Sequence, residues 1–521
     1  MGQDISKSIN PPPLTLQDCF VDGKFDLARY LYYSRRMDEI DNQFYNNFSN
    51  LISKKRKYES IEHSSNVKKD HTRSVKKHKL LVRNSDGSLR ELRPEDTIWY
   101  LIYVSNPPNS DRMLKLFRNR FRIPYSYFID LANEISNHDL FSRWRCKDAV
   151  GTSPSNIKLL LLGSLRYLGR SWTFDDVSES NGISREVNRV FFLHFIEYGT
   201  TVLYKKHVID AAKSLNISEQ ESLFRLAGFN GCIGSADATH VIMLKCASWA
   251  SLSHKGFKLN LPARSYNLTV SHTKQILCST TGHPSTWNDK TLVLFDPLLS
   301  GVHEGDLYNN FEFCLFEKND SNEIVEVKYK GVWFMVDNGY LNWSCTVPPV
   351  KNAMSYQTIR FSEWLESMRK DVECTFGILK QRFSILRHGI RLESIKNCDE
   401  VWMTCCGLHN VLLKLDGYDK NWSTTNGEND IHNVSNHDSP FSINRLNRII
   451  EGNDVDNCEV VNSSLFEEYI EDGYRIVSKM PLELFRQCLV NHFHIRFKMK
   501  SVFWPLHTNK NKPSDIEPNF D

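Results

Sequence analysis

No apolar run in this 521-residue chain approaches the roughly 20 residues that a membrane-spanning helix needs. The opening "MGQDISKSINPPP" has no apolar core of the kind a signal peptide carries. No membrane partner is therefore expected. Cysteine pairs at zinc-ligand spacing are missing too: the 13 cysteines include no Cys-x-x-Cys, and the one close pair is Cys405-Cys406. Structural zinc wants thiolates paired at short spacing, and secreted disulfide domains are small and cysteine-dense. The chain fits neither pattern, so reduced, mostly buried thiols in a nuclear or cytoplasmic protein are expected. Internal repeats are absent. So is a large net charge: the formal balance is +3, which says little about partners.

What is present is enough apolar material for real cores, with 40% hydrophobic and 12% aromatic residues. A chain of this length commonly splits into two or three domains. The N-terminus also matches the Met-Gly-x-x-x-Ser acylation pattern, with Gly2 as acceptor and Ser6. A single acyl chain anchors only marginally.

The charge is unevenly spread. "KKRKYESIEHSSNVKKDHTRSVKKHK", Lys54 to Lys79, is basic, polar and nearly free of large apolar side chains. It cannot bury a core. Its clusters Lys54, Lys55, Arg56 and Lys57, then Lys76 and Lys77, read as a nuclear-import signal or a phosphate-binding arm; a merely solvated linker is the plain alternative. A nuclear location is expected.

The organisation follows from texture. We expect an N-terminal segment over 1–50 and a basic disordered linker over 51–94. A helical domain would cover 95–220 and a strand-then-helix domain 221–415. A polar loop (416–460), a C-terminal helical segment (461–505) and a tail (506–521) complete the chain. In the helical part, "WTFDDVSESNGISREVNRVFF" holds a short helix, a turn at Gly182 and a longer helix capped by Ser184. That is the shape of a helix-turn-helix, whose second helix enters the major groove. Arg185, Asn188 and Arg189 would then meet DNA. The same shape is common in plain helical bundles.

"CIGSADATHVIMLK", "YNLTVSHT", "QILCSTTGH", "TLVLF" and "KGVWFMVDNGYL" read as strands. Asp237 closes the first apolar stretch and Asp337 follows the last, so both are expected at strand ends. "RKDVECTFGILKQRF" follows, with Val372, Phe376, Leu379 and Phe383 on one helical face. Glu373 borders that face, with Arg369 and Lys380 on its side. As spacing alone, this is an ordinary glutamate with basic neighbours, or a third carboxylate for a metal pair. Three clustered carboxylates make physical sense mainly around hard cations, since otherwise they repel one another. Two ions about 3.5–4 Å apart clamp the attacking and leaving oxygens of a phosphodiester. Arg369 and Lys380 would then face DNA phosphates. Asp289 is a possible fourth ligand or a helix-capping acid. Asp296 and Glu304 read as surface groups. His240 reads as a structural hydrogen-bonding residue, and Trp333 as core.

The motifs "DATH", "VDNGYLNWSCTVPP", "RKDVECTFGILKQRF" and "GLHNVLL" together resemble the nuclease domain of PIF/Harbinger-type DNA transposases and of host proteins derived from them. The likeness covers roughly residues 110–415. It implies an α/β, RNase H-like mixed sheet with flanking helices, preceded by an all-α helix-turn-helix domain. It implies a DDE triad of Asp237, Asp337 and Glu373 holding two divalent ions, Mg²⁺ or Mn²⁺, with Asp289 matching another recurrent acid. It also implies a Myb-like DNA-binding partner beside DNA itself, and a homodimer is expected. Three residues depart from the family pattern: Ala238 replaces a glycine, Asn338 a serine and Cys374 an arginine. None removes a ligand. The expected activity is transposition: phosphodiester cleavage at element ends and joining of the 3′-hydroxyl to target DNA. The alternatives are a domesticated DNA-binding protein without strand transfer, and a nuclease acting on another nucleic acid.

Overall fold

In a computed structural model of the chain, residues 88–503 are described, apart from 148–150, 152, 247, 257–260, 320, 352, 354 and 419–462. Backbone is also described at Phe20–Val21, Lys24–Phe25 and Leu81–Arg83. The acylation match at Gly2, the basic clusters from Lys54 to Lys77, most of the polar loop and the tail lie outside the described residues. The chain divides into two units, Met1–Lys79 and Leu80–Asp521. In the first, Phe20 pairs with Phe25 in a short antiparallel ladder.

The second unit opens on a short antiparallel ladder between Leu81–Arg83 and Leu89–Glu91, and helices follow. Helix α1 (Asp111–Phe121) starts where Ser110 accepts the Met113 N–H, and it buries Phe117 and Phe121. It stops at Arg122, whose left-handed backbone (φ 69°) breaks the ladder before Pro124. Helix α2 covers Tyr125–Asn137. Helix α3 (Ile157–Arg170) is apolar nearly all round and correspondingly buried. Helix α4 (Phe174–Asn181) opens on a Thr173–Asp176 capping box and ends at Gly182. Helix α5 (Arg185–Tyr198) is capped by Ser184. It runs on into a wider π-type helix over Gly199–Ile209. Helix α6 (Ile217–Leu226) then leads to the sheet.

The main sheet uses β1 (Cys232–Ile242), β2 (Ala263–Val270), β3 (Ile276–Ser279), β4 (His283–Pro284), and later strands separated from these by a hairpin. That hairpin is β5 (Glu312–Lys318) with β6 (Ile324–Lys330). Strands β7 (Trp333–Met335) and β8 (Thr346–Val347) return to the main sheet, in the order β8-β7-β1-β2-β3, with β4 on β2. The pairs β8/β7 and β7/β1 are parallel; β1/β2 and β2/β3 are antiparallel. Every residue of β2 is buried, as a central strand covered on both faces must be.

Three helices cover this sheet. α10 (Tyr356–Arg382) packs on β1, β2 and β7 through Val372, Leu379 and the residues around them, followed by the short helix α11 (Ile385–His388). α12 (Ile395–Leu415) packs on β3 and on the π-type helix. Before them in the chain, α7 (Ser248–His254), α8 (Asp289–Val293) and α9 (Pro297–His303) decorate the loops. At the C-terminal end, α13 (Leu482–Lys498) lies against β5 and α10. One apolar cluster joins Phe117, Leu161 and Phe192 of the helical segment to Tyr266, Leu268 and Trp402 of the sheet region. The helical segment and the sheet therefore share a core. The architecture is mixed α/β, as expected.

Four expectations need correction. "TLVLF" is not a strand: Asn288 accepts the Thr291 N–H and starts α8 instead. The C-terminal segment is not helical throughout. A 3-10 turn over Ser463–Tyr469 leads to two strands, β9 (Ile470–Glu471) and β10 (Tyr474–Ile476). Asp472 and Gly473 both take positive φ (49° and 79°), the pattern of a two-residue hairpin turn. β10 then adds in parallel to β6. Asp296 is not a surface group: it is 0% exposed and caps α9 by accepting the Leu298 and Leu299 N–H groups. Finally, Asp237 does not end its strand. β1 continues five residues further, to Ile242, paired with β2.

Candidate active site

What does end just before Asp237 is the parallel pairing of β1 with β7. Ser235 of β1 pairs with Met335, the last residue of β7. Two residues further along each chain stand Asp237 and Asp337. Neighbouring strands lie roughly 4.8 Å apart, so the register alone delivers two carboxylates to one edge. Asp337 turns its Oδ1 back to accept the Gly339 N–H at 2.8 Å. Gly339 is the point at which a third acid arrives. A methyl group added there would lie 2.9 Å from Asp289 Oδ2 and 3.0 Å from Asp337 Oδ1. Two carboxylates thus face one position that only glycine leaves open. Asp289 sits in the first turn of α8, and Asn288 rather than Asp289 caps that helix.

Tyr340 is the common neighbour. Burial pushes its hydroxyl well above the usual range, and the charges of Asp237, Asp289, Asp337 and Asp296 add to the effect. The hydroxyl donates to Asn267 Oδ1 at 2.5 Å, and Asn267 Nδ2 donates to Asp296 Oδ2 at 2.7 Å. The buried Asp296 therefore braces the floor of the acid cluster through Asn267 and Tyr340. From sequence Asp296 is expected on the surface, and the local signal of its capping role is the Asp-Pro pair that opens a helix.

The electrostatics follow. Burial lifts the Asp237 carboxyl to about 6. Arg369 and the Ala238 N–H pull it down; Asp337 and Asp289 push it up again. Arg369 Nη1 donates to Asp237 Oδ2 and its Nη2 to Glu373 Oε1, both at 2.9 Å. Arg369 thus bridges the acid edge of the sheet to Glu373 on α10. Glu373 itself is 48% exposed. Among the described residues, no three His, Cys, Asp or Glu side chains stand close enough to hold one ion. The donor chemistry nevertheless suits a hard divalent cation: every candidate ligand is a carboxylate, and Asp237 lacks enough counter-charge to stay ionised in the ordinary range.

The residues expected to contact DNA differ among themselves. Arg185 is exposed on the first turn of α5. Arg189 is bound bidentately by Glu186, one turn back. Asn188 is the exception that needs correcting: it is 3% exposed, and its amide bonds Asn181, Ile183 O and Ser184 O. An amide spent on joining α4 to α5 does not reach a base edge. Lys380 also turns inward. Its ammonium donates to Thr239 Oγ1 at 2.8 Å and to His240 O at 3.1 Å, tying α10 to β1. His240 in turn bonds Ser265 Oγ at 2.7 Å.

Residues 206–419 match the family model described as "Plant transposon protein". Over that span the chain is similar to plant transposon proteins. The span contains the whole acid cluster, Arg369, Glu373 and both covering helices α10 and α12. No curated protein and no solved structure matches the chain.

Proposed function

We propose that this protein is a metal-dependent DNA-cleaving transposase of the PIF/Harbinger type, with an RNase H-like domain and a helix-turn-helix built from α4 and α5. The observation that carries the proposal is that Asp289 and Asp337 face each other across Gly339, with Asp237 in register beside Asp337 past the end of the parallel strand pair and within reach of the charge of both. The sheet, three strands antiparallel and two more parallel to the first, fits the RNase H-like reading. The match to a transposon protein family supports the substrate class.

Asp237, Asp337 and Glu373 would hold the ions, with Asp289 as a fourth donor. When bound, Mg²⁺ or Mn²⁺ activates the attacking water or 3′-hydroxyl and stabilises the departing oxygen. The chain's own residues do the rest. Arg369 keeps Asp237 and Glu373 oriented toward each other. Gly339 leaves room between Asp289 and Asp337. Asn267, Tyr340 and Asp296 fix the loop after β7. Import through the Lys54–Lys77 clusters, a Myb-like partner and a homodimer belong to the same reading.

A second reading, a nuclear DNA-binding protein without strand transfer, is favoured by one observation: Glu373 is engaged by Arg369 and half exposed rather than gathered with the other acids. Strand cleavage separates the two. The full chain is incubated with Mn²⁺ or Mg²⁺ and the duplex flanking its own gene, with Asp337→Asn alongside. Metal-dependent nicking that disappears in the variant is the expected result. Duplex binding without cleavage by either protein, with a Myb-like partner added, establishes the second reading instead.

A further inference from the structure

Helices α1 and α3 end at the same place, and arginines crowd it. Arg120 and Arg122 come from the end of α1, Arg166 and Arg170 from the last turn and a half of α3. Among the described residues, none of these four forms an ion pair. The nearby Asp416 is already taken by Arg118, which it binds at 2.6 Å. Burial first, and then the like charges of Arg170, Arg120 and Arg122, together lower Arg166 to about 10. Burial and the charge of Arg170 also shift Arg122 downward.

The geometry shows how the chain holds them there. Arg166 Nη1 donates to Arg120 O at 2.9 Å and Arg170 Nη2 to Asn119 O at 3.2 Å. These bonds use the negative end of the α1 dipole, which offsets part of the repulsion. The Arg166 guanidinium lies 4.2 Å over the Trp172 ring. Arg122 lies across α3 at Gly169, where an added methyl would stand 2.7 Å from its Cγ. The Nε atoms of Arg122 and Arg166 are buried with no hydrogen-bond partner. A fifth guanidinium joins from another element: Arg391 donates to Ser171 O at 2.8 Å. Five cations from three segments, fixed by backbone carbonyls, the Tyr103 and Ser171 hydroxyls and an aromatic ring but, among the described residues, by no carboxylate, are costly to assemble unless an anion completes them.

We infer that this arginine cluster is a docking surface for the phosphate backbone of duplex DNA, separate from the α5 helix and from the acid site. The guanidinium fork matches phosphate oxygens two at a time, which lysine does not. The choice of duplex DNA rests on the function proposed above; the existence of an anion surface does not. Its position suits that function. Met243, next along the strand from β1, bridges to Ile390 beside Arg391. From Asp237 to Met243 is roughly 20 Å of strand. A duplex turn spans about 34 Å, so one DNA segment is long enough to touch both.

The test is equilibrium binding of a fluorescein-labelled 30-base-pair duplex to the full chain, by anisotropy, across a NaCl series and without divalent metal. Arg120→Gln with Arg170→Gln is compared with the Lys pair at the same positions and with Lys213→Gln as a remote charge control. The expected result is a loss on the order of tenfold per guanidinium at low salt. The slope of log affinity against log salt falls in size by about 2, roughly one unit per phosphate contact. The Lys pair keeps the slope but not the full affinity, and Lys213→Gln changes neither. Thermal melting followed by circular dichroism checks the fold; if the double variant melts early, Arg170→Gln alone is expected to lower the slope by about 1. Unchanged affinity and slope in a natively melting variant overturn the cluster's role while leaving the proposed function standing. A wild-type chain that binds no duplex overturns both. Equal binding of polyglutamate, with the same loss in the variant, overturns the assignment to DNA and makes the partner an acidic protein segment.

Discussion

Two aspartates, one on the main sheet and one on its covering helix, are pushed up alike by burial, while their neighbours treat them differently. Asp371, on α10, is 2% exposed. It accepts from His272 Nδ1 at 2.5 Å and from the Lys274 ammonium, both on the tight turn between β2 and β3. Burial pushes its carboxyl up, but His272 and Lys274 outweigh burial and hold it below the ordinary range. Asp237 faces one arginine, shared with Glu373, and two more acids, and its carboxyl rises to about 6. The first arrangement is complete in itself and fastens α10 to the sheet. The second is short of positive charge. Only the second has something left to bind.

The sharpest way to break this comparison is Asp371→Ala. It strands two buried basic groups and is expected to cost about 3–5 kcal/mol in urea or thermal unfolding. A loss under about 1 kcal/mol would mean that Asp371 fastens nothing. The pH dependence has a definite sign. A lowered carboxyl stabilises the fold above its unfolded value, about 3.9, and that stability drains as pH falls through the folded value.

Asp237→Asn should do the reverse. Between about pH 4 and pH 6 the folded chain keeps a proton on Asp237 that the unfolded chain has released. Stability therefore falls as pH rises through this window and is flat above it. Removing the carboxylate recovers up to about 3 kcal/mol at neutral pH and nothing at pH 4, less what Arg369 loses with one of its partners. Melting curves of the metal-free protein at both pH values read this directly. Destabilisation at neutral pH as large as at pH 4 would show that the Arg369 pair outweighs the crowding. A related and smaller effect is expected from Asp337→Asn: with one like charge gone, the Asp237 carboxyl shifts downward in an NMR titration. An unmoved or rising value would separate the two acids electrostatically.

The helix that carries Glu373 was legible in its apolar stripe, since Val372, Leu379 and Phe383 are buried and Phe376 partly so. So were the strands around Asp237 and Asp337. The second anchor of α10, Asp371, was not. Its partners lie about a hundred positions away, on a turn whose own sequence, "SHTK", reads as an ordinary polar loop. Asp296 was misread for the same reason: an acid looks exposed until its buried partners, here Asn267 and Thr269, are known. "TLVLF" misled because a short apolar run fits strand and buried helix alike, and the deciding residue, Asn288, stands before it. The β9–β10 turn was readable, since Asp-Gly between alternating residues is a strong hairpin signal, but the apolar spacing around it imitates a helix. Asn188 shows the limit of helix-face arguments. Spacing put it beside Arg185 and Arg189, but only the packing of α4 on α5 decides which side of the helix is inside.

Lys380 provides the mildest test, because it is a cation placed between the two regimes. Burial lowers its pKa, and no carboxylate among the described residues compensates. Among the described residues, its bonds to Thr239 and His240 O are its return for leaving water. Lys380→Met keeps the length and removes the charge, so the lost hydrogen bonds and the recovered desolvation nearly cancel. Unfolding free energy should change by less than about 1 kcal/mol. Duplex affinity and its salt slope should stay at wild-type values, because an ammonium held against β1 releases no counterion when DNA arrives. A slope reduced by about 1 would place Lys380 on the DNA after all, and would require that it leave Thr239 when the duplex binds.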